Sequence, residues 1–126
     1  MILIDTDVLI WLTRGHAGAN ARLDQIKPWR ISTITYLELI QGCKSKDELQ
    51  RVKRGFAIRE TQVLPVTPAI SEQAAALIET HALANGLQLA DALIAATALE
   101  YGLTLLTGNS RHFAPISTLR VERFEP

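Results

Sequence analysis

Four segments of the chain carry oxygen-bearing polar side chains beside apolar runs. The candidate site residues in these segments are Asp5, Glu38, Asp91 and Asn109. Carboxylate and amide oxygens are hard ligands that suit Mg²⁺ or Mn²⁺. Such ions hold phosphates and activate water for in-line displacement. If the fold gathers these residues, they predict metal-dependent phosphoryl transfer or phosphodiester hydrolysis.

The surroundings of Asp5 and Asp91 favour this interpretation. Asp5 follows the apolar run 2–4, Asp91 lies within the apolar stretch 89–94, and no basic residue is near either one in the sequence. A carboxylate in apolar surroundings is unfavourable without a partner. Two carboxylates ~4 Å apart repel by roughly 4 kcal/mol at an effective dielectric constant of about 20. A cluster of three acids therefore needs protons or a cation to compensate its charge.

Each candidate also has a purely structural explanation. Asp5 can cap the helix that follows it, and Thr35 and Glu38 have the spacing of a capping box. Asp91 near a helix N-terminus is favoured by the helix dipole, and Asn109 suits a turn. The residues by themselves leave both explanations open.

Short apolar runs alternate with helical patterns, and these elements must position the candidate residues. Strands are predicted at 2–4, 31–34, 62–66, 103–107 and 119–124. Helices are predicted at 21–26, 35–42, 68–85 and 89–101 and from a capping box at 45–48 to about 55–59, while 8–12 fits a helix or a strand. The alternation predicts a parallel sheet with helices on both faces, and sites then lie beyond the carboxyl ends of the strands.

Composition restricts the class of protein further. The 126 residues suffice for a single domain over 1–126, and 48% hydrophobic residues argue against disorder. Thirteen basic residues balance thirteen acidic ones, which excludes a strongly basic nucleic-acid coat protein. The single cysteine, Cys43, excludes an internal disulfide and favours a cytoplasmic location. No apolar run approaches the ~20 residues of a membrane span, and a signal peptide is not expected.

Four motifs, in order, resemble those of the PIN-domain nucleases, and most closely the VapC-type toxins of toxin–antitoxin systems. They are DTDVLI at 5–10, TYLEL at 35–39, LADALIAA at 89–96 and LLTGNSRHF at 105–113. The resemblance covers essentially the whole chain. It implies a three-layer α/β/α domain around a central, mostly parallel sheet of four to five strands.

The resemblance also implies an activity and roles for the candidate residues. The activity is that of an endoribonuclease dependent on Mg²⁺ or Mn²⁺, in which metal-bound water attacks the phosphodiester. Asp5 and Asp91 match the direct metal ligands, and Glu38 matches the position that holds a second metal or a metal-bound water. Asn109 falls where the family carries Asn or Asp, so this fourth position is neutral here.

Expected partners follow from the same resemblance. Family members cut RNA, often transfer or ribosomal RNA, are held inactive by a small antitoxin, and are often homodimers. Thr6 and Thr107 are expected to be hydroxyl partners of the site. The segment 44–59 is the most basic part of the chain, and it either tracks an RNA backbone or forms a solvated helix face.

Two alternatives remain. The Asp5-Thr6-Asp7 segment after an apolar strand also resembles the opening motif of haloacid-dehalogenase-type phosphatases, in which Asp5 would be a nucleophile. No convincing lysine and acidic pair follow it, as that family requires. The other alternative is a non-catalytic PIN-like module that binds RNA or protein, although all three acids are present.

Overall fold

Strands and helices alternate along the chain, and the computed structural model describes all residues from 1 to 126. The strands are β1 (Ile2–Ile4), β2 (Arg30–Ser32), β3 (Gln62–Leu64), β4 (Thr104–Thr107) and β5 (Val121–Arg123). The helices are α1 (Thr6–Thr13), α2 (Ala17–Asp24), α3 (Thr33–Gln41), α4 (Lys46–Ile58), α5 (Pro68–Asn85), α6 (Leu89–Tyr101) and α7 (Ser110–Phe113). The predicted α/β class is confirmed, and no helix has both the length and the apolar character of a membrane span.

All strand pairs are parallel, as predicted, but the sheet is smaller than the expected four to five strands. One sheet has the order β1-β4-β5, and a separate two-stranded sheet pairs β2 with β3. Strand β2 contacts β1 without forming a ladder with it. In the larger sheet Ile4 pairs with Leu106, and Thr107 pairs with Arg123. The carboxyl ends of β1, β4 and β5 therefore meet at one edge.

Alternating residues of β1 and β4 pack against helices on opposite faces of the sheet. Leu3 and Leu105 are fully buried in a cluster with residues of α5 and α6. Their neighbours Ile4 and Leu106 are fully buried in a second cluster with residues of α1 and α2. Each such side chain contributes roughly 1.5–3 kcal/mol by leaving water. These two cores form the three-layer arrangement and fix the register that orients the site.

Helix caps account for most of the element boundaries. Ser45 Oγ accepts from Glu48 N, and Thr67 Oγ1 accepts from Ile70 N, so both predicted helix starts are confirmed. Gly102 ends α6 in the left-handed conformation at φ 64°, which glycine adopts without the strain of a Cβ.

Several predicted boundaries were wrong, including those of the strands predicted at 62–66 and 119–124, which are shorter in the structure. Helix α3 begins at Thr33 rather than near Thr35, because Ser32 Oγ caps it by accepting from Ile34 N. Helix α2 begins at Ala17, because the ring of His16 accepts from Ala19 N. The turn that Asn109 suits leads directly into the short helix α7, and the run 8–12, which fitted a helix or a strand, belongs to α1.

Candidate active site

The candidate residues lie at the carboxyl edge of the larger sheet. Asp5 follows β1 directly, and its backbone N–H donates to Leu106 O at 2.9 Å, which extends the pairing with β4. Asp5 is also the first residue outside α1, in an extended conformation with φ −75° and ψ 155°. The strand therefore ends and the helix begins at the same carboxylate.

Asp5 is held by two hydrogen bonds in a nearly closed environment. Its Oδ1 accepts from Thr6 N at 2.8 Å, and its Oδ2 accepts from Thr107 Oγ1 at 2.7 Å. Only 5% of its surface is exposed. Burial, followed by the negative charge of Asp7 and a smaller contribution from Asp91, raises the pKa of Asp5 to about 7, against the lowering effect of the two hydrogen bonds. The ionised form of Asp5 is therefore unfavourable in the folded protein.

Glu38 is joined to Asp5 through the neighbouring Thr6. The Thr6 hydroxyl donates to Glu38 Oε1 at 2.7 Å and shares a second hydrogen bond, at 2.9 Å, with the buried Thr35 hydroxyl. Because α3 begins at Thr33, Thr35 and Glu38 lie within the helix and form no capping box. The structural explanation for Glu38 is therefore wrong, and its carboxylate faces the end of β1.

Asp91 occupies the first turn of α6, on the same side of the site. Its Oδ2 lies 3.6 Å from His112 Nδ1, and its side chain is 20% exposed. Burial raises the pKa of Asp91, and the charges of Glu38 and Asp7 add to this, while His112 opposes it. Asp91 on α6, Glu38 on α3 and Asp7 on α1 are therefore close enough for their charges to interact.

Asp7 belongs to this region although no role was predicted for it. Its Oδ2 accepts from Gly108 N at 2.9 Å, whereas its buried Oδ1 has no hydrogen-bond partner. Burial raises the pKa of Asp7 against several opposing hydrogen bonds. The only sequence signal was its spacing of two residues from Asp5, which does not reveal a partner in the turn after β4.

Asn109 lies at the same edge but makes no hydrogen bond to the acids. Its backbone N–H donates to Thr107 Oγ1 at 3.0 Å, and its exposed side chain makes no hydrogen bond. Thr107 thus accepts from Asn109 and donates to Asp5, as the expectation of a hydroxyl partner required.

The donor set of the site fits a divalent cation. The unpartnered Asp7 Oδ1 and the raised pKa of Asp5 both indicate negative charge without compensation, and His112 is the only basic group paired with any of the four acids. No three His, Cys, Asp or Glu side chains meet the geometry of a complete metal centre. Mg²⁺ is usually bound by one or two carboxylates together with waters and substrate phosphates, so a site with two protein carboxylates, such as Asp5 and Asp91, would suffice.

Comparison with known proteins agrees with the fold. The PIN domain family model matches residues 2–117, and the chain belongs to the PIN-domain family. The predicted resemblance to VapC-type members is confirmed as well. A relative, Ribonuclease VapC10 of Mycobacterium tuberculosis (strain H37Rv), is 34% identical over 128 residues, which cover 95% of this chain and 91% of that protein. The family assignment decides against the haloacid-dehalogenase-type phosphatase.

Solved structures give the same result. A chain of a toxin–antitoxin complex from Klebsiella pneumoniae is 31% identical with a TM-score of 0.84, and the match covers 100% of both chains. A chain of VapBC-1 from nontypeable Haemophilus influenzae is 27% identical with a TM-score of 0.79 and 98% coverage of both chains.

Proposed function

We propose that this chain is a metal-dependent endoribonuclease, the toxin component of a type II toxin–antitoxin system, in a single cytoplasmic domain over residues 1–126. The observation that carries the proposal is the cluster of four carboxylates at the carboxyl edge of the sheet, in which Asp5 is buried and only Asp91 has a basic partner. The raised pKa of Asp5 and the unpartnered Asp7 Oδ1 express that excess charge directly. A stable fold gains nothing from this arrangement unless a cation and a phosphate complete it.

Within this proposal, Asp5 and Asp91 hold Mg²⁺ or Mn²⁺. The bound cation would supply activated water and charge stabilisation on the scissile phosphate. Thr107 fixes Asp5 Oδ2, so the carboxylate keeps one orientation. Thr6 holds Glu38 Oε1, which leaves Oε2 free to orient the attacking water or to contact a second cation. Asn109 is then a neutral contact to substrate at the exposed rim.

The partners are proposed from the named relatives and the exposed surface. The substrate is RNA, with transfer or ribosomal RNA as the expected classes, and the inhibitor is a cognate antitoxin. A groove of about 560 Å³ with leucine, valine and phenylalanine side chains between α1, α3 and α4 offers the antitoxin an apolar surface. We also propose a homodimer, which light scattering on the purified chain would detect.

The basic segment is only partly available to RNA. Arg59 is engaged in contacts within the protein: it forms an ion pair with Asp24 Oδ1 at 2.6 Å, and its guanidinium lies 4.7 Å from the ring centre of Trp29. The exposed cations of α4 are Lys46, Arg51, Lys53 and Arg54. These make no ion pair, so they remain candidates for non-specific phosphate contact.

The proposal is tested by RNA cleavage with purified, antitoxin-free protein. With Mn²⁺ or Mg²⁺ we expect discrete fragments from total cellular RNA, and none with EDTA. Asp5→Asn should lower the rate by at least about 100-fold, since replacing even a residue that merely orients a metal ligand costs about 10–100-fold. Asp47→Asn, an exposed carboxylate on α4, is the matched control and should retain activity.

Two results would contradict the proposal. If Asp5→Asn cleaved as fast as the parent, the site assignment would be wrong. If a folded, inhibitor-free parent did not cleave RNA with either cation, the non-catalytic PIN-like binding module would become the better interpretation.

A further inference from the structure

A second, purely polar cavity adjoins the acidic site. It has a volume of about 390 Å³, within the range of small-ligand sites. Its lining contains no hydrophobic residue and consists of Gly108, Asn109, Ser110, Arg111, His112 and Arg123. The proposed function gives no role to its two arginines.

The fold builds this cavity from two elements that meet at the catalytic edge. Arg111 lies on α7, and Arg123 ends β5 and pairs in register with Thr107, whose hydroxyl donates to Asp5. The His112 ring forms part of the wall, and its Nδ1 is 3.6 Å from Asp91 Oδ2. A ligand in the cavity would therefore sit beside the proposed cation ligands.

The charges of this cavity are available to an anion. Arg111 makes no ion pair, and Arg123 pairs only with the exposed Glu125 at 3.4 Å. An exposed pair of this kind is worth little and exchanges readily. Arginine presents its N–H groups as a planar fork that matches phosphate oxygens. The neighbouring acids of the candidate active site repel a polyanion such as RNA, so positively charged side chains beside them would help to bind it.

We infer that this cavity binds an RNA backbone phosphate adjacent to the scissile one; the inference rests on the proposed ribonuclease function. The lining has no Phe, Tyr, Trp or aliphatic side chain, and its two arginines offer N–H donors, so it suits a phosphate better than a base. Contacts to phosphate fix the position of a strand but carry no sequence information. The subsite therefore holds any RNA equally well, and base preference arises elsewhere on the surface.

The test measures cleavage and binding separately with a fluorescein-labelled single-stranded 12-nucleotide RNA of mixed sequence. The variants are Arg111→Gln, Arg111→Lys and the double variant Arg111→Gln with Arg123→Gln. Arg120→Gln is the matched control, because Arg120 Nη2 donates to Gly102 O at the opposite end of β4. KM and kcat are taken from cleavage with Mn²⁺, and affinity from fluorescence anisotropy in EDTA at several salt concentrations.

We expect Arg111→Gln to raise KM about tenfold and to leave kcat within about twofold of the parent. The charge-assisted hydrogen bond that this variant lacks would be made equally in the bound substrate and in the transition state, so its loss weakens binding without slowing the chemical step. Arg111→Lys should recover part of the affinity. In the double variant the slope of log affinity against log salt should become shallower by roughly 0.7 for each phosphate that an arginine no longer neutralises. The weakening should be the same for a second 12-nucleotide RNA of different sequence, and Arg120→Gln should resemble the parent.

Unchanged KM, affinity and salt slope in the double variant would overturn the inference. Weakening confined to one RNA sequence would overturn it as well, because it would indicate contact with bases. If the parent cleaves no RNA, the proposed function fails, but the anisotropy in EDTA still decides whether the two arginines bind an RNA backbone.

Discussion

Replacing Asp5 with asparagine should make the metal-free protein more stable at pH 8. The native pKa of Asp5 is raised from 3.8 to about 7 by burial and by neighbouring carboxylates. The folded state therefore binds a proton between pH 4 and 7 that the unfolded chain has released. Stability then falls as pH rises through this interval, and above about pH 7 the full penalty is present.

The structure gives the magnitude of this effect. A pKa that moves from 3.8 to about 7 corresponds to roughly 4 kcal/mol at about 1.4 kcal/mol per pH unit. Thr6 N and Thr107 Oγ1 donate to different oxygens of Asp5, and asparagine has an NH₂ group in place of one of them. One of these two hydrogen bonds is therefore lost, which costs about 1–3 kcal/mol. The net gain at pH 8 is about 1–3 kcal/mol, or roughly 3–10 °C in Tm.

The assay is urea unfolding of parent and Asp5→Asn in EDTA from pH 4 to pH 8. The difference in unfolding free energy should grow with pH by about 4 kcal/mol and level off above pH 7, because the cost of the missing hydrogen bond does not depend on pH. Asp47→Asn, which replaces an exposed carboxylate, should give a flat difference of less than about 1 kcal/mol. If the difference in unfolding free energy between the parent and Asp5→Asn did not change with pH, the argument that the Asp5 charge destabilises the metal-free fold would be refuted.

Further predictions concern the cation and the turn after β4. Mg²⁺ or Mn²⁺ should raise the Tm of the parent by more than that of Asp91→Asn, and equal shifts in a thermal scan would remove Asp91 from the metal site. In Gly108→Ala the new Cβ would lie 2.5 Å from Asp7 Oδ2, so urea unfolding should show a loss of about 1–3 kcal/mol. The control is Gly55→Ala in α4, where the new Cβ has no atom within 4 Å, and its unfolding free energy should rise by about 0.5–1 kcal/mol. If Gly108→Ala were as stable as the parent, the turn after β4 would be able to move away from the new Cβ without cost.

Local signals in the sequence predicted most of the elements. The capping residues Ser45 and Thr67 marked helix starts, because a side-chain oxygen there satisfies a free N–H of the first turn. The apolar runs at 2–4 and 103–107 marked the strands β1 and β4, which pair in the larger sheet. These features depend on neighbours in the sequence, which is why they can be predicted without the fold.

Features set by distant contacts could not be predicted in this way. The separation of β2 and β3 from the larger sheet depends on how β2 meets β1, and no local pattern encodes that contact. Asp7 has its partner at Gly108, 101 residues away. The cavity around Arg111 and Arg123 likewise requires the pairing of β4 with β5.

Asp5 differs from the other helix caps of this protein in its hydrogen bonding and in its charge. A cap normally accepts from the second or third residue of its helix, as Ser45 and Thr67 do, and serine, threonine or asparagine serves as well as aspartate. Asp5 accepts instead from the adjacent Thr6 and carries a charge that burial makes unfavourable. A neutral cap would stabilise the metal-free fold better. We therefore propose that the carboxylate serves the divalent cation of the proposed nuclease site, which requires a charged ligand.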